Sequence, residues 1–168
     1  MTTTLAIPLR LSTEMARLAR FHRDVHWTGT IQAGSTGPGS PAMTATGEAR
    51  YHVIQDGLWI VGDHEQDLYL ADGTFVRHSQ LHWVAGWDPD AREYRASAAD
   101  SDGRFTFLSG TIGGRLLTFE SIGRPRLRTR LLWHVADAET MTWRNEVSVD
   151  GGPFQLVERY ACTTDPAR

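Results

Sequence analysis

Lysine is absent from this 168-residue chain; all seventeen basic residues are arginine. That excludes Schiff-base lysines, lysine nucleophiles and the phosphate-gripping lysine of a P-loop. A bias in coding composition is the ordinary explanation, set against selection for guanidinium chemistry. Cysteine is nearly absent as well. Cys162 stands alone, so no disulfide can form within the chain, and the pattern fits a reducing compartment. A single cysteine near a chain end reads as small apolar filler rather than a nucleophile. No run approaches the roughly eighteen apolar residues of a membrane span. The opening MTTTLAIPLRLSTEM lacks a basic stretch followed by an apolar run, so no secretory leader is expected and a cytoplasmic location is. A net charge of −3, with acids and bases interspersed, carries no signal for nucleic acid or a membrane surface.

Helical periodicity is equally scarce. Ser12-Thr13-Glu14-Met15 offers a hydroxyl cap and an early acid, and Leu11, Met15, Leu18 and Phe21 recur at helical spacing. One short helix is predicted, over about 12–23. A loop rich in glycine, proline and serine follows the first strand, from Gly34 to Pro41.

What remains is strand after strand. Period-two patterning places strands at Val25–Gln32, Thr44–Ile54, Leu58–Leu70, Thr74–Trp87 and Glu93–Ala98. It continues with Arg104–Ile112, Arg115–Ser121, Arg126–Ala136, Thr140–Val149 and Phe154–Cys162. The stretch from Gly86 to Gly103 is the most informative. Trp87-Asp88-Pro89-Asp90 suits a type I turn, and Asp100-Ser101-Asp102-Gly103 is a second turn cluster. Two reversals so close leave no room for a crossover helix, so neighbouring strands are antiparallel. Such a meander must close or expose its edges. The expected fold is therefore all-β: a single domain forming an antiparallel up-and-down β-barrel of eight to ten strands, spanning about 25–162. The helix would cap one mouth or lie along the wall. A barrel of that size has room for one small ligand.

Several short elements also carry a family resemblance. They are Trp27 in VHWTGT, Asp56-Gly57-Leu58-Trp59-Ile60-Val61, Ala71-Asp72-Gly73, Gly86-Trp87-Asp88, Tyr94, Asp100–Gly103 and Ser109-Gly110-Thr111. Their order and spacing resemble the DUF1579 family of bacterial proteins, which is similar to calycin or lipocalin-like barrels, over roughly Leu18 to Cys162. The resemblance implies a ligand-binding barrel; it brings no general activity and no catalytic motif.

Alternation separates wall from lumen. In Leu58–Leu70, an acidic face with Asp63, Glu65 and Asp67 must see water, which sends His64 and Gln66 inward. In Thr140–Val149, Trp143 and Asn145 share the apolar face with Met141 and Val147. In the last strand Phe154, Leu156, Glu158 and Tyr160 share a face, so Glu158 is an acid among apolar neighbours. Trp133, Trp143 and Tyr160 would supply the apolar wall of a pocket, with His64, Gln66, Asn145 and Glu158 as its polar groups. The opposing reading is that these polar groups satisfy one another in a filled core.

Other constellations are weaker. His78, Gln80 and His82 share one face of a strand; His82 is a candidate ligand contact, with a surface position as the alternative. The two histidines cannot share a metal, because four residues of strand span about 13 Å. The His22-Arg23-Asp24-Val25-His26 pair would splay apart where the strand starts, so no metal site is expected. Arg126, Arg128 and Arg130 read as a solvated wall, set against an anion site. Ser109 lacks the context of a nucleophile elbow, and Gly110, Gly113 and Gly114 form a turn rather than a phosphate cradle.

The leading expectation is a binding module, monomeric or homodimeric, for a small apolar or amphipathic metabolite. No cofactor and no nucleic-acid or membrane partner is expected. The rival is a cofactor-independent isomerase or cyclase using Glu158 and His64 as an acid–base pair. A haem-binding barrel similar to nitrobindin is a third reading, weakened by the lack of any histidine after His134.

Overall fold

The computed structural model describes residues 12–164. Ser12 caps α1 (Thr13–Ala19), its Oγ accepting the Met15 amide at 3.1 Å. The helix is shorter than the sequence predicts. The amides of Phe21 and His22 reach back only three residues, to the carbonyls of Leu18 (3.0 Å) and Ala19 (3.3 Å), and this tight last turn releases the chain toward its first strand. Leu11, first in the predicted helical stripe, lies outside the described residues.

Ten strands follow: β1 (Val25–Ile31), β2 (Met43–Ile54), β3 (Trp59–Tyr69), β4 (Phe75–Asp88) and β5 (Glu93–Asp100), then β6 (Phe105–Gly113), β7 (Leu116–Ser121), β8 (Leu127–Val135), β9 (Thr140–Val149) and β10 (Gln155–Thr164). Each pairs antiparallel with its sequence neighbours, and β1 also pairs with β10, closing the barrel. Closure leaves no free sheet edge, which is the stable outcome for a meander of this length.

Aspartates set the tight reversals. Asp88 accepts the amides of Asp90 and Ala91 at 3.0 and 3.1 Å, and Asp100 accepts those of Asp102 and Arg104 at 3.0 and 2.9 Å. Hairpins β1–β2, β3–β4, β5–β6, β7–β8 and β9–β10 turn at one end of the barrel.

The other end is plugged by α1 and the turn after it. Met15, Leu18 and Phe21 are buried against the core. His22 then drops between inward rings of three strands. Its Nδ1 faces the Leu18 carbonyl at 3.2 Å, and the Trp83 indole N–H donates to its Nε2 at 2.8 Å. The imidazole stacks on Trp83 and stands edge-on to Tyr51. Of the two expected placements, the helix takes the end cap.

A β-bulge between Leu156 and Glu158 corrects one predicted face. Glu158 pairs with the inward Asn145, and Tyr160 with Trp143, but Leu156 pairs with Glu146. The extra residue, Val157, inverts the alternation below it. Phe154 therefore lies outside, under the guanidinium groups of Arg130 (4.0 Å to its ring centre) and Arg128 (5.1 Å). The unbroken apolar face predicted around Glu158 does not exist.

Close backbone approach explains one glycine that shapes the interior. Gly47 lies directly across from Trp27, and a Cβ there would press on the Glu65 backbone carbonyl and stand 2.5 Å from the indole carbon Cζ2. Gly47→Ala is expected to cost about 1–3 kcal/mol through overpacking, seen as a lowered unfolding midpoint. Gly113→Ala is the control, since its Cβ would meet nothing within 4 Å. Equal midpoints for the two variants would show that the Trp27 ring and the Glu65 carbonyl yield without cost.

Candidate functional site

Inside the barrel is a cavity of about 890 Å³, open at the hairpin end and floored by aromatic rings. Trp133 stacks on Trp143 with ring centres 5.7 Å apart and 5° between planes, and Trp143 stacks on Tyr160 at 4.7 Å. Trp27 meets both Trp143 and Tyr160 edge-on, at 5.8 and 6.2 Å, and Trp83 leans on Trp133 at 5.7 Å. Aliphatic residues such as Leu81, Leu108 and Leu131 complete the wall, and residues 32–36 form part of the rim.

Seven of the eight predicted site residues line this one cavity: His64, Gln66, Trp133, Trp143, Asn145, Glu158 and Tyr160. The exception is His82. It is opposite Asp63 in the β3–β4 pairing and shares the outer face with it, its Nδ1 2.7 Å from the carboxylate. His78 does the same with Asp67 at 2.8 Å. The inward set on β4 is instead Arg77, Ser79, Leu81 and Trp83. Polar and apolar members mix on both faces of that strand, so alternation alone did not separate them. The arginine triplet lies on the outer wall: Arg126 pairs with Asp150 (3.0 Å), Arg128 with Glu120 (2.6 Å), and Arg130 with Glu146.

The polar groups within the cavity are only partly matched. The Trp27 indole N–H donates to Gln66 Oε1 at 3.1 Å. Asn145 Nδ2 donates to Glu158 Oε2 at 2.5 Å. His64 Nε2 lies 2.7 Å from the Tyr51 hydroxyl. Three buried atoms of the cavity lining have no partner among the described residues: His64 Nδ1, Trp143 Nε1 and Asn145 Oδ1. In either tautomer of His64 its Nδ1 stays unmatched.

Burial governs the titration of these groups. It lowers His64 to about 3, helped by the neighbouring His22, and lowers His22 itself to about 4. Burial likewise pushes the Tyr51 hydroxyl far up, and the Tyr160 hydroxyl well up, with the Glu158 charge adding to the latter. The Cys162 thiol is pushed up to about 12 by the same cause, so it stays protonated and weakly nucleophilic. Both imidazoles are neutral at physiological pH. No hydrogen bond joins His64 to Glu158: Tyr51 holds one and Asn145 the other.

Sequence reasoning did not name Tyr51, Trp83 and His22 as parts of the site. Tyr51 follows Ala45 and Ala49 on the inner face of β2, a pattern that alternation could have found. His22 lies outside any strand, and no periodicity marks it.

No protein-family model matches the chain, and no curated protein matches it. Solved structures do. The crystal structure of Rv2717c from M. tuberculosis superposes with a TM-score of 0.62 at 10% identity, covering 94% of this chain and 100% of that one. The S-type phycobiliprotein lyase CPES from Guillardia theta superposes with a TM-score of 0.59 at 8% identity, over 95% and 96%. The likeness is one of fold, and the class it defines is that of closed antiparallel β-barrels. Membership of the DUF1579 family is shown by no match. No helix among the described residues is long and apolar enough to cross a membrane.

Proposed function

We propose that this barrel is a binding module that takes up one small apolar or amphipathic molecule through its open end. The observation that carries the reading is the cavity. Its volume of about 890 Å³ is within the roughly 300–1,000 Å³ usual for small-molecule sites, and such sites pair apolar walls with a few convergent polar groups. Here the walls are stacked indoles, and the unmatched His64 Nδ1, Trp143 Nε1 and Asn145 Oδ1 offer hydrogen-bonding capacity that the protein does not use. A protein named as a phycobiliprotein lyase shares this fold.

Aminoanthracene, a neutral fluorescent aromatic amine, tests the reading. It is expected to saturate one site, gaining emission while the emission of Trp133 and Trp143 falls. Small hydrophobic metabolites should then displace it. Ala98→Phe, on the cavity wall, should weaken binding at least about tenfold by filling the space. Absence of saturable binding, or binding that Ala98→Phe leaves untouched, would exclude the cavity as the site.

A further inference from the structure

Charges around the cavity are distributed unequally. At the rim two arginines share one acid: Arg77 grips Asp102 through both nitrogens at 2.7 and 3.2 Å, and Arg104 adds a third contact at 3.2 Å. Asp100 is occupied by the backbone amides of its turn, and Arg124 donates to the Phe105 carbonyl at 2.6 Å. Glu158 is different. It lies one inward step above Tyr160 on β10, at the upper edge of the aromatic floor, and it lines the lumen.

Among the described residues Glu158 has no cationic partner. Its hydrogen bond within the protein comes from the Asn145 amide at 2.5 Å. The arginines nearest in sequence face away, Arg159 being exposed and paired across the outer face with Arg144. One neutral donor satisfies only part of a carboxylate, which has about four lone-pair sites. A half-buried, uncompensated charge is costly unless an opposite charge arrives. Immediately below it are the faces and edges of Trp143, Tyr160, Trp27 and Trp133, and indole faces attract cations.

We infer that the molecule bound here carries a protonated amine, which pairs with Glu158 while its apolar or aromatic body rests on the tryptophan floor. This deepens the proposal of a ligand barrel and rests on it. An anionic group is disfavoured at this position for the same reason, since no ion pair screens Glu158 and both buried imidazoles are neutral.

Calorimetric titration with three probes of one shape tests the assignment: naphthylmethylamine, naphthylmethanol and naphthoic acid, at neutral pH. Wild-type protein should bind the ammonium about 10- to 100-fold more tightly than the alcohol, the usual worth of one charge-assisted hydrogen bond. The carboxylate should bind most weakly. Glu158→Gln keeps the shape and should erase the preference for the ammonium while leaving the alcohol within about twofold, a far smaller change than the loss of a bidentate or charge-assisted contact. Alcohol and ammonium binding equally to wild type would overturn the amine assignment and leave the ligand barrel standing. A preference that survives Glu158→Gln would overturn the role of Glu158. Binding of none of the three would overturn both proposals. The wild-type comparison needs no variant, so it stands even if Glu158→Gln folds poorly.

Discussion

Acidification from about pH 6.5 to about pH 4 removes several kcal/mol of folding stability from this barrel, because two imidazoles are buried neutral. Burial lowers His22 from 6.5 to about 4 and His64 from 6.5 to about 3. Both folded values are depressed, so the unfolded chain binds more protons throughout that window. Stability is therefore full above about 6.5 and falls as protons bind the unfolded state preferentially. At 1.36 kcal/mol per pH unit the limits are about 3 kcal/mol for His22 and about 5 kcal/mol for His64, reached only once each folded value is passed. The two rings interact, so their sum is an upper bound. The lowered carboxylates Asp72, Asp88, Asp102 and Asp137 act further down, below their ordinary 3.8. Urea unfolding in half-unit pH steps measures the slope, and His64→Gln should remove the larger share of it. A flat profile across the window would show that neither ring is sealed from water.

Truncation at the plug is the second large effect. Trp83→Ala empties a site that is 2% exposed and packed against Phe119, Trp133 and His22. The expected loss is about 3–5 kcal/mol, as for other buried aromatic truncations. Trp83→Phe separates packing from hydrogen bonding. It retains most of the ring but leaves His22 Nε2 without its donor, for about 1–3 kcal/mol. Chemical unfolding of the two variants gives both numbers. If Trp83→Phe matched wild type, the His22–Trp83 hydrogen bond would have no net worth, and the helix would be held by its apolar stripe alone.

The barrel was legible because its signals are local. Asp-Gly and Asp-Pro reversals, together with uniform alternation, mark ten strands, and each hairpin bond forms between residues close in the chain. The same alternation correctly sent His64, Gln66, Trp143 and Asn145 inward, since β3 and β9 each carry one clearly solvated face. It failed where that contrast was missing. On β4 both faces mix histidine, glutamine and aliphatics, and only pairing with the acidic outer face of β3 places His82 outside. It failed again at β10, where one bulged residue turned Phe154 outward and left Gln155 opposite the inward Val147.

Residue order alone thus specifies strand count, turn positions, the absence of lysine chemistry and the candidate set from which a pocket could be built. Closure of β1 onto β10 follows from no local signal, because it joins the two ends of the meander. Neither does the gathering of indoles from β1, β4, β8 and β9 into one floor, nor the choice of His22 and α1 as the plug. Those depend on which inner faces meet once the ring is shut. The same holds for Glu158: the bulge beside it turns Phe154 outward, and its lack of an ion-pair partner is visible only in the closed barrel. Period two reports which way a side chain points, whereas distances across a closed barrel set what it meets there.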